Sequence, residues 1–195
     1  MPFSPANPRF CLDCRKARKA CVCALLPRFM APLATHFWVH VAEDTRSRST
    51  SWLAHRMVQS SVYTVVHERD GYPEAAAGKL ALLFPGECSQ SWDRVAFDGV
   101  LIVDGTWDEC RSMVAHSPFL QGLPQITFRE DYQGINTVRR PPQQGTLCTA
   151  EALGRLYAEM GYSDGARLID MVHMLNQREN RYLQKAKTAE ATEPC

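Results

Sequence analysis

Gly99-Val100-Leu101-Ile102-Val103 runs without a polar interruption up to Asp104-Gly105. A strand with one wet face alternates apolar and polar residues. An unbroken apolar run of this length instead predicts a strand covered on both faces, as at the centre of a parallel sheet. Other short runs rich in β-branched and aromatic residues predict further strands. These are His36–Val41, Val62–Val66, Leu80–Phe84 (stopped by Pro85-Gly86) and Gln125–Phe128. Helical spacing of apolar residues predicts helices near Trp52–Ser60, over Trp107–His116, over Thr149–Met160 and from Asp164 to about Lys185. For the third of these, Thr149 is expected at the N-cap and Glu151 in the first turn. Strands alternating with helices give an α/β fold with a mainly parallel sheet and helices on both faces. Ligands bind such sheets at the carboxyl ends of strands. That places the candidate site on Phe84-Pro85-Gly86, on Asp104-Gly105-Thr106-Trp107 and on the loop through Leu147-Cys148-Thr149.

A second feature stands apart from the sheet. Four of the eight cysteines crowd into the N-terminus as Cys11-x2-Cys14-x6-Cys21-x-Cys23. Two close pairs of thiolates supply four soft ligands, which suits a tetrahedral zinc ion. A closed four-cysteine site leaves no position open to substrate, so the expected role is structural. The alternatives are a disulfide framework, which a reducing compartment disfavours, and an iron–sulfur cluster, whose common spacings differ. Arg9, Arg15, Lys16, Arg18, Lys19 and Arg28 surround the cysteines against one acid, Asp13. A local basic lobe of this kind suits contact with phosphate, although the whole chain carries a net charge of only +1. The chain divides into a lobe over 1–30, an α/β domain over 31–185 and a tail over 186–195. No segment reaches the roughly 18 apolar residues of a membrane helix, and the N-terminus lacks a signal-peptide pattern. A cytoplasmic protein is expected.

Val103-Asp104-Gly105-Thr106-Trp107 resembles the Asp-x-Thr-Trp signature of the DTW-domain family. Other segments agree with that family in order along the chain. They are the four-cysteine motif; Glu43-x-x-Arg46 followed by Ser49-Thr50, with Ser49 where the family pattern has Asn; Leu82-Leu83-Phe84-Pro85; Val138-Arg139-Arg140-Pro141; and Leu147-Cys148-Thr149-Ala150-Glu151-Ala152. The resemblance spans about residues 11 to 155. It implies kinship with the trefoil-knotted SPOUT-like RNA methyltransferases, and so a C-terminal knot, which general rules of chain connection would not suggest. It also implies the activity of a tRNA-uridine aminocarboxypropyltransferase. Such an enzyme moves the 3-amino-3-carboxypropyl arm of S-adenosylmethionine to N3 of a uridine in tRNA.

The same resemblance assigns roles residue by residue. Asp104 is the candidate catalytic carboxylate, as general base toward uridine N3–H or as anchor for the cofactor's amino group. Phe84, Pro85, Gly86, Gly105, Thr106, Trp107, Leu147, Cys148 and Thr149 are expected to line the cofactor pocket with it. Arg46, Arg48, Arg139 and Arg140 are candidate contacts to RNA phosphate or to the cofactor carboxylate, with Glu43 orienting Arg46. His40, His116, His173, Cys110 and Cys148 lack partners in sequence that would make them catalysts. Two rival functions remain open at this point, an S-adenosylmethionine-dependent RNA methyltransferase and a non-catalytic zinc-containing RNA-binding module.

Overall fold

The computed structural model describes residues 7–44, 46, 49–67, 71–72, 78–137 and 146–191, with side chains to residue 185. Arg48, Arg139 and Arg140 lie outside the described residues.

Eight strands and six helices follow one another among the described residues. They are β1 (Phe29–Met30), β2 (Ala34–His40), α1 (Val41–Asp44), α2 (Ser51–Met57), β3 (Val58–Gln59), β4 (Val62–Val66), β5 (Leu80–Leu83), β6 (Gln90–Ser91), β7 (Gly99–Asp104), α3 (Trp107–His116), α4 (Pro118–Gly122), β8 (Gln125–Thr127), α5 (Thr149–Glu159) and α6 (Asp164–Ala191). Six of the strands form one sheet in the order β4-β2-β7-β5-β8-β6, and every neighbouring pair is parallel. β7, the unbroken apolar run, is buried at every position and sits between β2 and β5. β1 and β3 form a separate two-stranded parallel pair.

Side chains alternate across the sheet and feed two cores. Phe37, Val39, Ala81, Leu83, Val100 and Ile102 point to one face, where they pack with α2, α5 and α6 through Leu53, Met57, Leu153, Tyr157, Leu168 and Val172. Trp38, Leu80, Leu82, Leu101 and Val103 point to the other, against Cys110, Met113 and Leu120 of α3 and α4. Helices therefore cover both faces, and all strand ends that bear the candidate site lie at one edge. The N-terminal lobe has no core of its own: its Val22 and Phe29 are buried in the first of these two cores.

Several element boundaries differ from the sequence expectation, three of them by more than a strand end. The residue preceding α5 is Cys148, not Thr149, and Glu151 Oε2 accepts from the Cys148 N–H at 2.8 Å. The Thr149 hydroxyl is committed elsewhere, as the site shows. α2 ends at Met57, where the chain turns into β3. α6 runs past Lys185 to Ala191, so much of the expected tail is helical. Its start lies hard against α5: a Cβ on Gly165 would approach Ala158 N to 2.7 Å, and one on Gly154 would approach Gly165 O to 2.9 Å. Two glycines thus set how closely these helices cross.

Candidate functional site

Asp104 ends β7 and is 4% exposed. Its Oδ2 accepts from Ser49 Oγ at 2.8 Å and from Ser51 Oγ at 2.6 Å, and its Oδ1 accepts from Thr149 Oγ1. A carboxylate offers about four acceptor positions, so three hydroxyls leave one on Asp104 unused. These donors come from Ser49 just before α2, from the first residue of α2 and from the first residue of α5. A second tie runs the same way, from Ala150 N–H to Thr50 Oγ1 at 3.3 Å. One buried carboxylate therefore fastens two distant segments to the end of the central strand. Ser49, the position that departs from the family pattern, keeps a hydrogen-bonding role. Ser51 carries no signal in the sequence that sets it apart.

The turn after Asp104 is built by a capping box. Thr106 Oγ1 accepts from Glu109 N–H at 3.2 Å, while Glu109 Oε2 accepts from Thr106 N–H at 2.7 Å. Gly105 sits tightly against this box, since a Cβ there would meet Glu109 Cβ at 3.0 Å. Glu109 also holds Arg46 in a two-pronged pair, with Nη1 to Oε2 and Nη2 to Oε1 both 2.8 Å. Arg46 Nη1 further donates to Oε2 of fully buried Glu43 at 2.6 Å, and His40 Nδ1 stands 3.5 Å from Glu109 Oε1. Hydrogen bonds from Arg46 hold the Glu109 carboxyl down at about 2. Those to Glu109 and then Glu43 push the Arg46 guanidinium above its ordinary value. Arg46 is therefore already paired with two carboxylates. Glu109 is a member of this network that the sequence reading did not single out, although the Thr106-x-x-Glu109 spacing signals its capping role.

The remaining pocket candidates gather at the same sheet end. Phe84 and Trp107 are half-buried rings in contact, with centroids 5.9 Å apart. Pro85 and Gly86 are exposed beside them, and Leu147, Cys148 and Thr149 are partly covered. Burial pushes the Cys148 thiol well above its ordinary value, which keeps it from acting as a nucleophile. His116 and His173 are exposed and outside this network.

In the N-terminal lobe the sulfurs of Cys11, Cys14, Cys21 and Cys23 lie within 4.8 Å of one another. Cys11 and Cys23 are 3.9 Å apart and Cys14 and Cys21 3.7 Å, and all four are free thiols. Metal–sulfur bonds of about 2.3 Å in a tetrahedron require sulfur–sulfur edges of about 3.8 Å, so the set fits a four-thiolate metal site. Arg15, in the left-handed region at φ 57°, turns the chain between the first two cysteines and the rest. Two of the basic residues of this lobe have their charge committed to carboxylates. Lys16 is buried in an ion pair with Glu179 of α6, and Arg15 pairs with Asp44 at 3.6 Å.

The fold and site thus define an α/β protein of parallel sheet, with a strand-end carboxylate hub and a four-cysteine lobe able to hold a metal ion. The chain belongs to the DTW domain family, whose domain matches residues 8–183. It is similar to the protein named tRNA-uridine aminocarboxypropyltransferase 2 of Drosophila melanogaster. The two are 23% identical over 164 residues, covering 76% of this chain and 65% of that protein. The chain therefore spans just under two thirds of that relative's length. No solved structure matches it.

Proposed function

We propose that this protein transfers the 3-amino-3-carboxypropyl group of S-adenosylmethionine to N3 of a uridine in tRNA, releasing 5'-methylthioadenosine and passing the N3 proton to solvent. Membership of the DTW family and the name of the Drosophila relative support a tRNA-modifying transferase. The observation that carries the reading is the Asp104 hub. The Asp of the signature turn joins two of the segments expected to line the cofactor pocket, the β7 turn and the start of α5, to the Ser49–Ser51 segment after β2.

The residues present fit an adenosine-bearing cofactor. The Phe84–Trp107 pair offers aromatic surface, exposed Pro85-Gly86 offers backbone, and Leu147-Cys148-Thr149 adds a partly covered segment tied to Asp104 through Thr149. When bound, the sulfonium makes the adjoining carbon of the aminocarboxypropyl arm electrophilic and leaves as a neutral thioether. Of the two roles open to Asp104, its surroundings favour the anchor. A general base must be reached by the proton it takes, whereas Asp104 is enclosed by three hydroxyl donors. Its one free acceptor position suits an ammonium held beside the hub. The protein's main contribution is positioning, which alone can supply several kcal/mol of a two-substrate barrier.

Zinc is the ion we assign to the cysteine lobe, in a structural role, because four thiolates at these separations leave no open coordination position. We further assign a knotted, SPOUT-like chain path to the C-terminal half. Two features support it: β7 inserts between β2 and β5, and the chain at Gly134 passes so close to Thr146 that a Cβ there would strike its carbonyl.

Cofactor labelled separately at the methyl group and at the arm's carboxyl carbon tests the reaction. The reading requires the carboxyl label, and not the methyl label, to enter unmodified tRNA. Methyl label in tRNA would keep the site and replace the reaction by methylation.

A further inference from the structure

A groove of about 520 Å³ lies between the cysteine lobe and α6, lined by Lys19, Arg178, Arg181, Tyr182 and Lys185. None of these residues belongs to the Asp104 network. Four of the five are cations, and no acid lines the groove among the described residues.

The helix pattern explains how the groove arises. In the first half of α6 the inward stripe is Leu168, Met171, Val172 and Leu175, all buried in the core. Helical spacing carries that stripe onward to Arg178, Glu179, Tyr182 and Lys185. The face that begins as core thus turns cationic where the helix meets the lobe. Glu179, the only acid between residues 171 and 185, is consumed by its buried pair with Lys16. That pair fixes the lobe to the helix and removes the one negative charge that would oppose an anion. Arg178 adds a further sign, since its Nε is buried without a hydrogen-bond partner among the described residues. Such a donor is costly to bury unless a ligand oxygen completes it. Tyr182 is 38% exposed among these cations, and an exposed ring beside guanidinium groups is the usual platform for a stacked base.

We infer that the groove between the cysteine lobe and α6 is a docking site for the sugar–phosphate backbone of the RNA substrate, with Tyr182 stacking on an unpaired base. This rests on the reading of the protein as a tRNA-modifying enzyme, and it gives α6 a role that the sequence left open. Arg178, Arg181, Lys185 and Lys19 position the RNA without specifying its sequence.

The test uses the full chain and unmodified tRNA, with affinity measured across a salt series and turnover measured at saturating tRNA. Lys19, Arg181 and Lys185 are exposed, so a triple alanine variant is expected to keep the wild-type melting curve and metal content. Its affinity is expected to fall at least about tenfold, and the slope of log affinity against log salt to flatten by about three, one per lost phosphate contact. Turnover at saturating tRNA should stay at the wild-type level. Tyr182→Ala is expected to weaken binding about tenfold with the slope unchanged, because stacking releases no counterions. Wild-type affinity and slope in the triple variant would overturn the groove, whether or not the enzyme turns over. Strong, groove-dependent tRNA binding with no aminocarboxypropyl transfer would instead overturn the proposed reaction and leave the groove standing.

Discussion

At the scale of single residues, three hydroxyls meeting on one carboxylate make a sharp prediction. Ser51→Ala removes the 2.6 Å donor to Asp104. It should cost about 1.5–3 kcal/mol in urea unfolding, the range for a hydrogen bond to a charged group. Asp104→Asn should lower cofactor affinity as well as stability, because an amide nitrogen would face hydroxyls that are arranged to donate. An Asp104→Asn variant with wild-type cofactor affinity would remove the anchor role. Arg46 lends itself to a second test. Arg46→Met removes a 2.6 Å donor to buried Glu43 together with both bonds to Glu109, and should cost about 2 kcal/mol, reduced from the buried-pair range because Arg46 itself is 39% exposed. The pH dependence follows from Glu109, whose carboxyl is held at about 2 against an ordinary 4.5. Its stabilisation is complete above pH 4.5 and is lost as pH falls toward 2. Glu109→Gln should therefore flatten the acid limb of the stability profile in that window and leave its neutral part parallel to wild type. Much of this scale was not legible in advance. The serines and Thr149 look like ordinary cap formers in sequence, and only contact across 45 to 55 residues of chain shows that their hydroxyls belong to Asp104.

Elements were read more readily where burial was two-sided. β5 and β7 announce themselves by apolar runs buried at every position, whereas β6 is two residues of an edge strand, Gln90–Ser91, with nothing apolar to mark it. β1 and β3 are equally short, and their pairing joins the lobe to the domain across the interval from Phe29 to Val58. The lobe's position on α6 was also hidden. Lys16 reads as one more surface cation until the fold brings Glu179 to it. Two predictions belong here. Gly165→Ala would press a methyl group onto the backbone of α5, so it should destabilise by more than about 2 kcal/mol and loosen α6 first in hydrogen exchange. Cys14→Ser, or metal removal by a chelator, should lower the melting temperature by about 10 °C. Protection should be lost in residues 7–30 and near Glu179, ahead of the sheet. An unchanged melting curve after verified metal removal would contradict the structural assignment of the lobe.

Seen whole, the residues proposed to hold RNA are separate from those proposed for the chemistry. The parallel sheet sets Phe84, Asp104 and the segment after β2 along one edge, while the cysteine lobe and α6 lie together through Lys16–Glu179 and enclose a cationic groove. No helix among the described residues is long and apolar enough to cross a membrane. The signature turn was legible in sequence because its residues are contiguous, and the family match over 8–183 follows from such segments recurring in order. The groove was not, because its cations come from positions 19 and 178–185 and become one surface only in the folded chain. The most direct test of the central claim is mass spectrometry of both products after incubation with S-adenosylmethionine and unmodified tRNA. The account predicts aminocarboxypropyl-uridine in the nucleosides together with 5'-methylthioadenosine in equal amount. A methylated nucleoside with S-adenosylhomocysteine, or no modified nucleoside at all, would contradict it.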